Sequence, residues 1–405
     1  MYRSWADTWG RTLRPNAASR AAGRLRRTKD EMAGELLLVG SIPLDTPEEV
    51  FRAVGPALGR WLAYMPDGEV GERRYWIDGL AYRVLNGHPE LETLRRPAPD
   101  ADGVERWRPL GHADQFQFRV KPGVRQVRFG DPGWRLGYTR DAVNSYFVFR
   151  QLKKDGAIPE HVRFQVCIPL TYSAVASFFP DAGDHARIVP GFTAALRAEI
   201  AMLVAKIPPA DLAIQWDLAI ESRYVEAALA ERGAEAARRA AERFMAPAAE
   251  IGPHIPRAAA LGYHACFGTL AGWPSRQPRD LTGTVLLLNE SVAASGRPVE
   301  FVNFPTLGSA EDAFFAPLEN LAVGGARVYV GAIHHMHGEA GPARQLATVR
   351  KYLPSFGLAA PCGFGRAPER PGRLLTDEGS APPPDALATI LDDHRRAAAL
   401  LGAAA

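Results

Sequence analysis

Between residues 34 and 365 the chain repeats one pattern: a short apolar run closed by Gly, Pro or a polar side chain, then a longer stretch with helical periodicity. The runs are ELLLVGSIPLD (35–45), RWLAYMPDGE (60–69), VRFQVCIPL (162–170), DLAIQWDLAIE (211–221), ALGYHACFG (260–268), PVEFVNFP (298–305), ARVYVGAIHH (326–335) and FGLAAPCGFG (356–365). Short runs of near-continuous apolar residues are what strands covered on both faces look like. The stretches between them read as helices. TPEEVFRAVGPALGRW has Thr46 placed as the N-cap, Pro47 at the first helical position and acids in the first turn. Eight strand–helix units predict an α/β fold, a single (β/α)8 TIM barrel over 34–405. A doubly wound open sheet is the rival, and the lack of a GxGxxG after the first run counts against it.

Two segments break the rhythm. Residues 84–137 carry alternating polar and apolar positions and turn signals (WRPLGHADQFQFRVKPGVRQVRFGDPG), which predicts an insertion after strand two with a hairpin over the barrel mouth. Residues 1–33 hold Arg and Ser without an apolar core, which predicts a flexible leader rather than a signal peptide. A Pro-rich stretch precedes a last amphipathic helix, DALATILDDHRRAAALL, expected to pack on the barrel.

Composition narrows the function classes. The 405 residues are 47% hydrophobic and carry a formal charge of +3, so no basic surface is implied, and with no stripe of cations and aromatics a nucleic-acid partner is not expected. No run of some 18 apolar residues is visible, so no membrane span is expected. Three cysteines, far apart, argue against a disulfide framework and for a reducing cytoplasm.

The candidate chemistry sits where barrel enzymes keep theirs, at the C-terminal ends of the strands. His264 and Cys266 end the fifth run, and at i and i+2 in a strand they face one way. Cys362 ends the eighth, Ser41 the first, Asp67 and Glu69 the second, Asp217 the fourth and His334 the seventh. A neutral imidazole beside two potential thiolates suits zinc; packed core residues are the plainer alternative. Cys167 reads as core. The tract HHMH (334–337) reads as a polar loop. Trp76, Tyr172 and Trp216 could line a pocket or fill the core, and one of Glu72, Arg73 and Arg74 could meet a substrate carboxylate or simply pair at the surface.

In their order these pieces resemble the C-terminal catalytic barrel of the cobalamin-independent methionine synthase family, within the superfamily that also holds uroporphyrinogen decarboxylase. VGSIP is similar to that family's I-G-S-F-P, DGEVGERRYW to H-G-E-x-E-R-N-D-M, AIQWDLAIE to Q-I-D-E-P-A-L-R-E, YHACFG to H-x-C, GAIHH to D-I-H-S and APCGFGR to P-D-C-G-L. The resemblance spans roughly residues 35–370. It implies Zn2+ held by His264, Cys266 and Cys362, the amino-acid part of a thiol substrate held by Ser41 and Glu69, its amino group held by Asp217, and a proton shuttled by His334. The implied activity is methyl transfer of the methyltetrahydropteroyltriglutamate–homocysteine kind, or a related alkyl transfer, from a folate or corrinoid donor to a small thiol.

The departures are specific. The family's fourth zinc ligand, a glutamate ending the sixth strand, falls at about Pro305, with Asn303 and Glu300 nearby. The glutamate after the family's aspartate is Leu218 here. The family's full-length enzymes also carry an N-terminal barrel with no counterpart in this sequence. Two other functions therefore stand beside the transferase: a metal-free lyase of the uroporphyrinogen decarboxylase kind, and a ligand-binding barrel that has lost its metal.

Overall fold

In the computed structural model, the residues described are 34–99, 103, 112–130, 135–269, 274–307, 311–333, 340–364 and 386–402. The expected leader and the HHMH tract with His334 lie outside them. The eight runs form eight parallel strands: β1 (Leu36–Leu37), β2 (Tyr64–Pro66), β5 (Arg163–Pro169), β6 (Leu212–Leu218), β7 (Ala260–Ala265), β8 (Phe301–Pro305), β9 (Arg327–Gly331) and β10 (Gly357–Ala359). Between β2 and β5 the insertion contributes an antiparallel pair, β3 (Leu91–Arg95) and β4 (Gln117–Val120).

The strand order β1-β10-β9-β8-β7-β6-β5-β2 runs almost once around a cylinder. Two isolated parallel bridges, Leu36 to Leu62 and Ser41 to Gly68, join its ends, and Ile42 N donates to Gly68 O at 2.9 Å. The result is a nearly closed eight-stranded barrel of the TIM type. Its ring of helices includes α1 (Pro47–Leu58), α2 (Tyr138–Lys154), α3 (Ala182–Lys206), α4 (Ile220–Arg232), α5 (Ala234–Ile251), α6 (Thr282–Ala294), α7 (Ala340–Val349) and α8 (Ala386–Gly402). The Thr46 cap forms as expected: its hydroxyl accepts from Glu49 N, and the Glu49 carboxylate accepts from Thr46 N.

Two apolar layers hold the fold. The larger fills the space between barrel and helices, and includes Phe51, Phe149, Phe164, Trp216 and Tyr263. The smaller lies inside the barrel, where Leu37, Val39, Phe301, Tyr329 and Ala359 pack together with Tyr64 against them. Gly262 makes that inner layer possible, because a Cβ there would run into the Phe301 ring. The helix α3 is long and apolar enough to cross a membrane by length and composition, a run the sequence reading passed over. Here it packs against α2, α5 and β4, and it buries Asp184 and Glu199.

The insertion is anchored on α3. Asp184 of α3 accepts from Val120 N at 3.1 Å, and Val127 N donates to Arg187 O at 2.9 Å. Gly191 of α3 lies so close to the Val127 carbonyl that a side chain would collide with it. Gln115, just before β4, reaches the barrel mouth.

Candidate metal centre and its cavity

Strand register builds the centre. Asp217 of β6, His264 of β7 and Asn303 of β8 are direct neighbours across the sheet, and side chains in one such row share a face. All three are buried. His264 Nδ1 lies 2.5 Å from Asn303 Oδ1, while Asn303 Nδ2 donates to the Tyr329 carbonyl at 3.1 Å. The second bond fixes which end of the amide faces the ring. His264 therefore carries a proton on Nδ1, which leaves Nε2 as the nitrogen a metal ion would take.

Cys266 is one residue beyond β7 and Cys362 three beyond β10, at opposite sides of β8 and β9 in the ring. Their sulfurs are 3.5 Å apart, and Gly268 N donates to Cys266 Sγ at 3.2 Å. One ligand atom from each of His264, Cys266 and Cys362 lies within 4.8 Å of the others. Tetrahedral zinc with sulfur bonds of about 2.3 Å holds two thiolates about 3.8 Å apart, so this trio fits the ion with little adjustment. The electrostatics agree. A hydrogen bond from the Cys362 thiol, helped by His264 and the Gly268 amide, carries the Cys266 thiol well below its ordinary pKa, while the same bond and burial push Cys362 up. Burial opposes a charged His264, but its bond to Cys266 and the charges of Cys266 and Asp217 raise its pKa.

A cavity of about 290 Å³ opens on the trio, and Ser41, Glu69 and Asp217 line it too. Glu69 sits in a left-handed conformation (φ 49°) after Gly68 (φ 82°). A non-glycine residue there is strained unless the surroundings hold it. Here Glu69 N donates to Asp67 Oδ1 at 3.1 Å, and Asp67 is itself gripped by Arg73 (3.1 and 2.7 Å) and Ser145 Oγ (2.6 Å). Burial, then the nearby Asp217, push the Glu69 carboxyl well above its usual range against the pull of Arg73. Burial also raises Asp217 to about 6, with His264 opposing. Two such carboxyls facing a small cavity favour a bound cation.

Beneath the site lies a polar layer that the sequence reading did not single out. Gln215 Nε2 donates to Asp217 Oδ1 (2.8 Å) and to the Val39 carbonyl (2.6 Å), and Gln165 Nε2 donates to Gln215 Oε1 at 3.0 Å. The signal was there: QVC and QWD place polar residues at period two inside apolar strands. A clamp also fixes the segment after Asp217. Ser173 Oγ accepts from Ala219 N and Ile220 N and donates to the buried Glu221 carboxylate, which also accepts from Ser173 N. Burial pushes Glu221 up to about 7.

Other candidates fall elsewhere. Glu300 opens β8 rather than closing it; it accepts from Leu261 N at 2.6 Å and pairs with Arg297, so it lies at the far end of the barrel from the trio. Pro305 ends β8 and offers no donor. Arg73 is bound to Asp67 and Arg74 to Asp45. Trp76 lines the cavity, whereas Trp216 is core and Tyr172 stacks edge-on against Phe244. Cys167 bonds the Val39 carbonyl below the site, its thiol pushed up by burial.

No family model matches the sequence, and no curated protein does. Among solved structures, the chain aligns with the carboxyl transferase domain of Rhizobium etli pyruvate carboxylase at 13% identity and a TM-score of 0.23, covering 82% of this chain and 59% of that one. The chain thus spans less than two thirds of that domain, and a likeness this low carries no argument about function.

Proposed function

We propose that this chain is a zinc-dependent methyl or alkyl transferase acting on a small amino-acid-like thiol. The observation that supports it best is the His264–Cys266–Cys362 trio, oriented by Asn303 and opening on a cavity that also holds Ser41, Glu69 and Asp217. Zinc bound there would hold a substrate thiol as thiolate at neutral pH and keep it nucleophilic. Three protein ligands leave the fourth position to the substrate sulfur. The Glu69 and Asp217 carboxylates would pair with an ammonium group on the same molecule, drawing their own protons off as it binds. Their beds differ: the Glu69 backbone is held in a strained turn, and the Asp217 carboxylate accepts from Gln215. The folate or corrinoid donor would approach over the rim, where Gln115 and Trp76 stand. The proton needed by the departing donor atom falls to His334 by the family resemblance alone.

A lyase or a metal-free binding barrel has no use for two thiols and an oriented imidazole around one point. Metal content tests the reading directly. Purified protein should hold about one zinc per chain, and Cys266→Ser should lose it. Equal, weak zinc binding by both proteins overturns the proposal. Transfer of a labelled methyl group to a panel of amino thiols then identifies the acceptor.

A further inference from the structure

The cavity wall made by the segments after β6 and β7 carries two arginines, Arg223 and Arg276. They differ from the arginines on the β2 side. Arg73 and Arg74 are matched to Asp67 and Asp45, whereas Arg223 and Arg276 form no ion pair with any described residue. Arg276 is tied instead to backbone carbonyls: Nη2 donates to Cys266 O at 2.5 Å and Ala219 O at 3.4 Å. Its Nη1 is buried without an acceptor among the described residues. Glu226 lies close enough to favour the charge on Arg276, but its Oε1 is buried and unbonded, and the two form no ion pair among the described residues. Burial lowers the Arg276 pKa against the pull of Cys266 and Glu226, and Arg223 adds slightly to the lowering. The buried, unbonded Nη1 of Arg276, with the exposed Arg223 beside it at the cavity edge, is a place an anion would complete.

We infer that Arg276, with Arg223, forms an anion subsite that holds the carboxylate, or a like-charged phosphonate or sulfonate, of the thiol substrate. The inference rests on the thiol reading above and deepens it. Arg276 is bonded to the carbonyl of a proposed metal ligand, so an anionic group there sits close to the substrate sulfur. In a cavity of about 290 Å³ this selects a short mercapto acid, sulfur and anion a few bonds apart. The ammonium end of such a molecule would lie toward Glu69, whose strand β2 is three places from β7 around the ring. With Glu69 on the β2 side and the arginines beyond Asp217 on the β6–β7 side, the charges then set the direction in which the substrate lies. A guanidinium held through Nη2 at two carbonyls keeps its unbonded Nη1 in a fixed direction, where it can donate a charge-assisted hydrogen bond to one anionic oxygen.

The test is calorimetry on the zinc-loaded protein with 3-mercaptopropionate and 2-mercaptoethanol. The anionic thiol should bind about tenfold tighter or better, the worth of one or more charge-assisted hydrogen bonds. Arg276→Gln should remove the preference while zinc content and 2-mercaptoethanol binding stay unchanged, and Arg276→Lys should restore part of it. Arg223→Gln, at an exposed position, should reduce the preference without disturbing the loop. No preference in the wild type, or a preference that survives Arg276→Gln, overturns the inference. A second arm uses metal-free protein and phosphonoacetate, followed by phosphorus NMR. Binding that vanishes in Arg276→Gln supports the subsite even if the protein takes up no zinc, so failure of the metal reading is told apart from failure of the subsite. Phosphonoacetate binding indifferent to Arg276→Gln overturns the subsite.

Discussion

Asn303 illustrates how much a single amide can decide. It touches no substrate in the proposed reaction, yet its oxygen selects the His264 tautomer and its nitrogen is spent on the Tyr329 carbonyl. Asn303→Ala should leave both cysteines in place and lower zinc affinity about 10–100-fold, the usual cost of losing such an outer partner; competition with a chromogenic chelator reads this out. Asp217→Asn should behave oppositely, keeping zinc and weakening amino-thiol binding about tenfold by removing a charged partner, which calorimetry on the loaded protein measures. At this scale the sequence was informative where spacing carries geometry. His264 and Cys266, two apart at a strand end, could be read as one face. Asn303 could only be named as nearby, because its role depends on register with β7. Arg276 could not be seen at all: it lies in a loop ten residues past Cys266, and nothing in loop spacing tells that it folds back onto the Cys266 carbonyl.

Elements transmit these choices through a few contacts. The insertion meets α3 at Gly191, where the Val127 carbonyl leaves no room for a side chain. Gly191→Ala should therefore cost about 1–3 kcal/mol, as overpacking does, measured by urea unfolding, and should loosen the hairpin that carries Gln115 to the cavity. The Ser173–Glu221 clamp gives a pH signature. Glu221 has a folded pKa of about 7 against 4.5 for the free side chain. The folded state thus holds the proton more tightly, so this group's contribution is fully present below pH 4.5 and is lost as pH rises through about 7. Between pH 4.5 and 8, in chelator, Glu221→Gln should gain on the wild type by up to about 3 kcal/mol; denaturation midpoints at the two pH values check the sign. The sequence showed Glu221 only as the end of an apolar run and Ser173 as a residue just past another, since their contact joins positions 48 apart.

For the whole molecule, the barrel was legible because eight apolar runs recur with helices between them, and parallel strands covered on both faces have that appearance. Length was not: β1 and β10 are two and three residues long, though their runs are eleven and ten. Much of each run serves as loop, and that is where Ser41 and Cys362 lie. The short β1 has a mechanical consequence. The seam between β1 and β2 is held by two lone bridges, whereas β5, β6 and β7 share continuous ladders. The barrel should breathe along that seam, so the Ile42 amide should exchange with solvent sooner than the amides of β6. Ser41 stands on one lip and Glu69 just past the other. A ligand grasping both would act as a suture, and its arrival should be visible as slowed exchange on the β1–β2 side alone, leaving the stiff half of the barrel as it was.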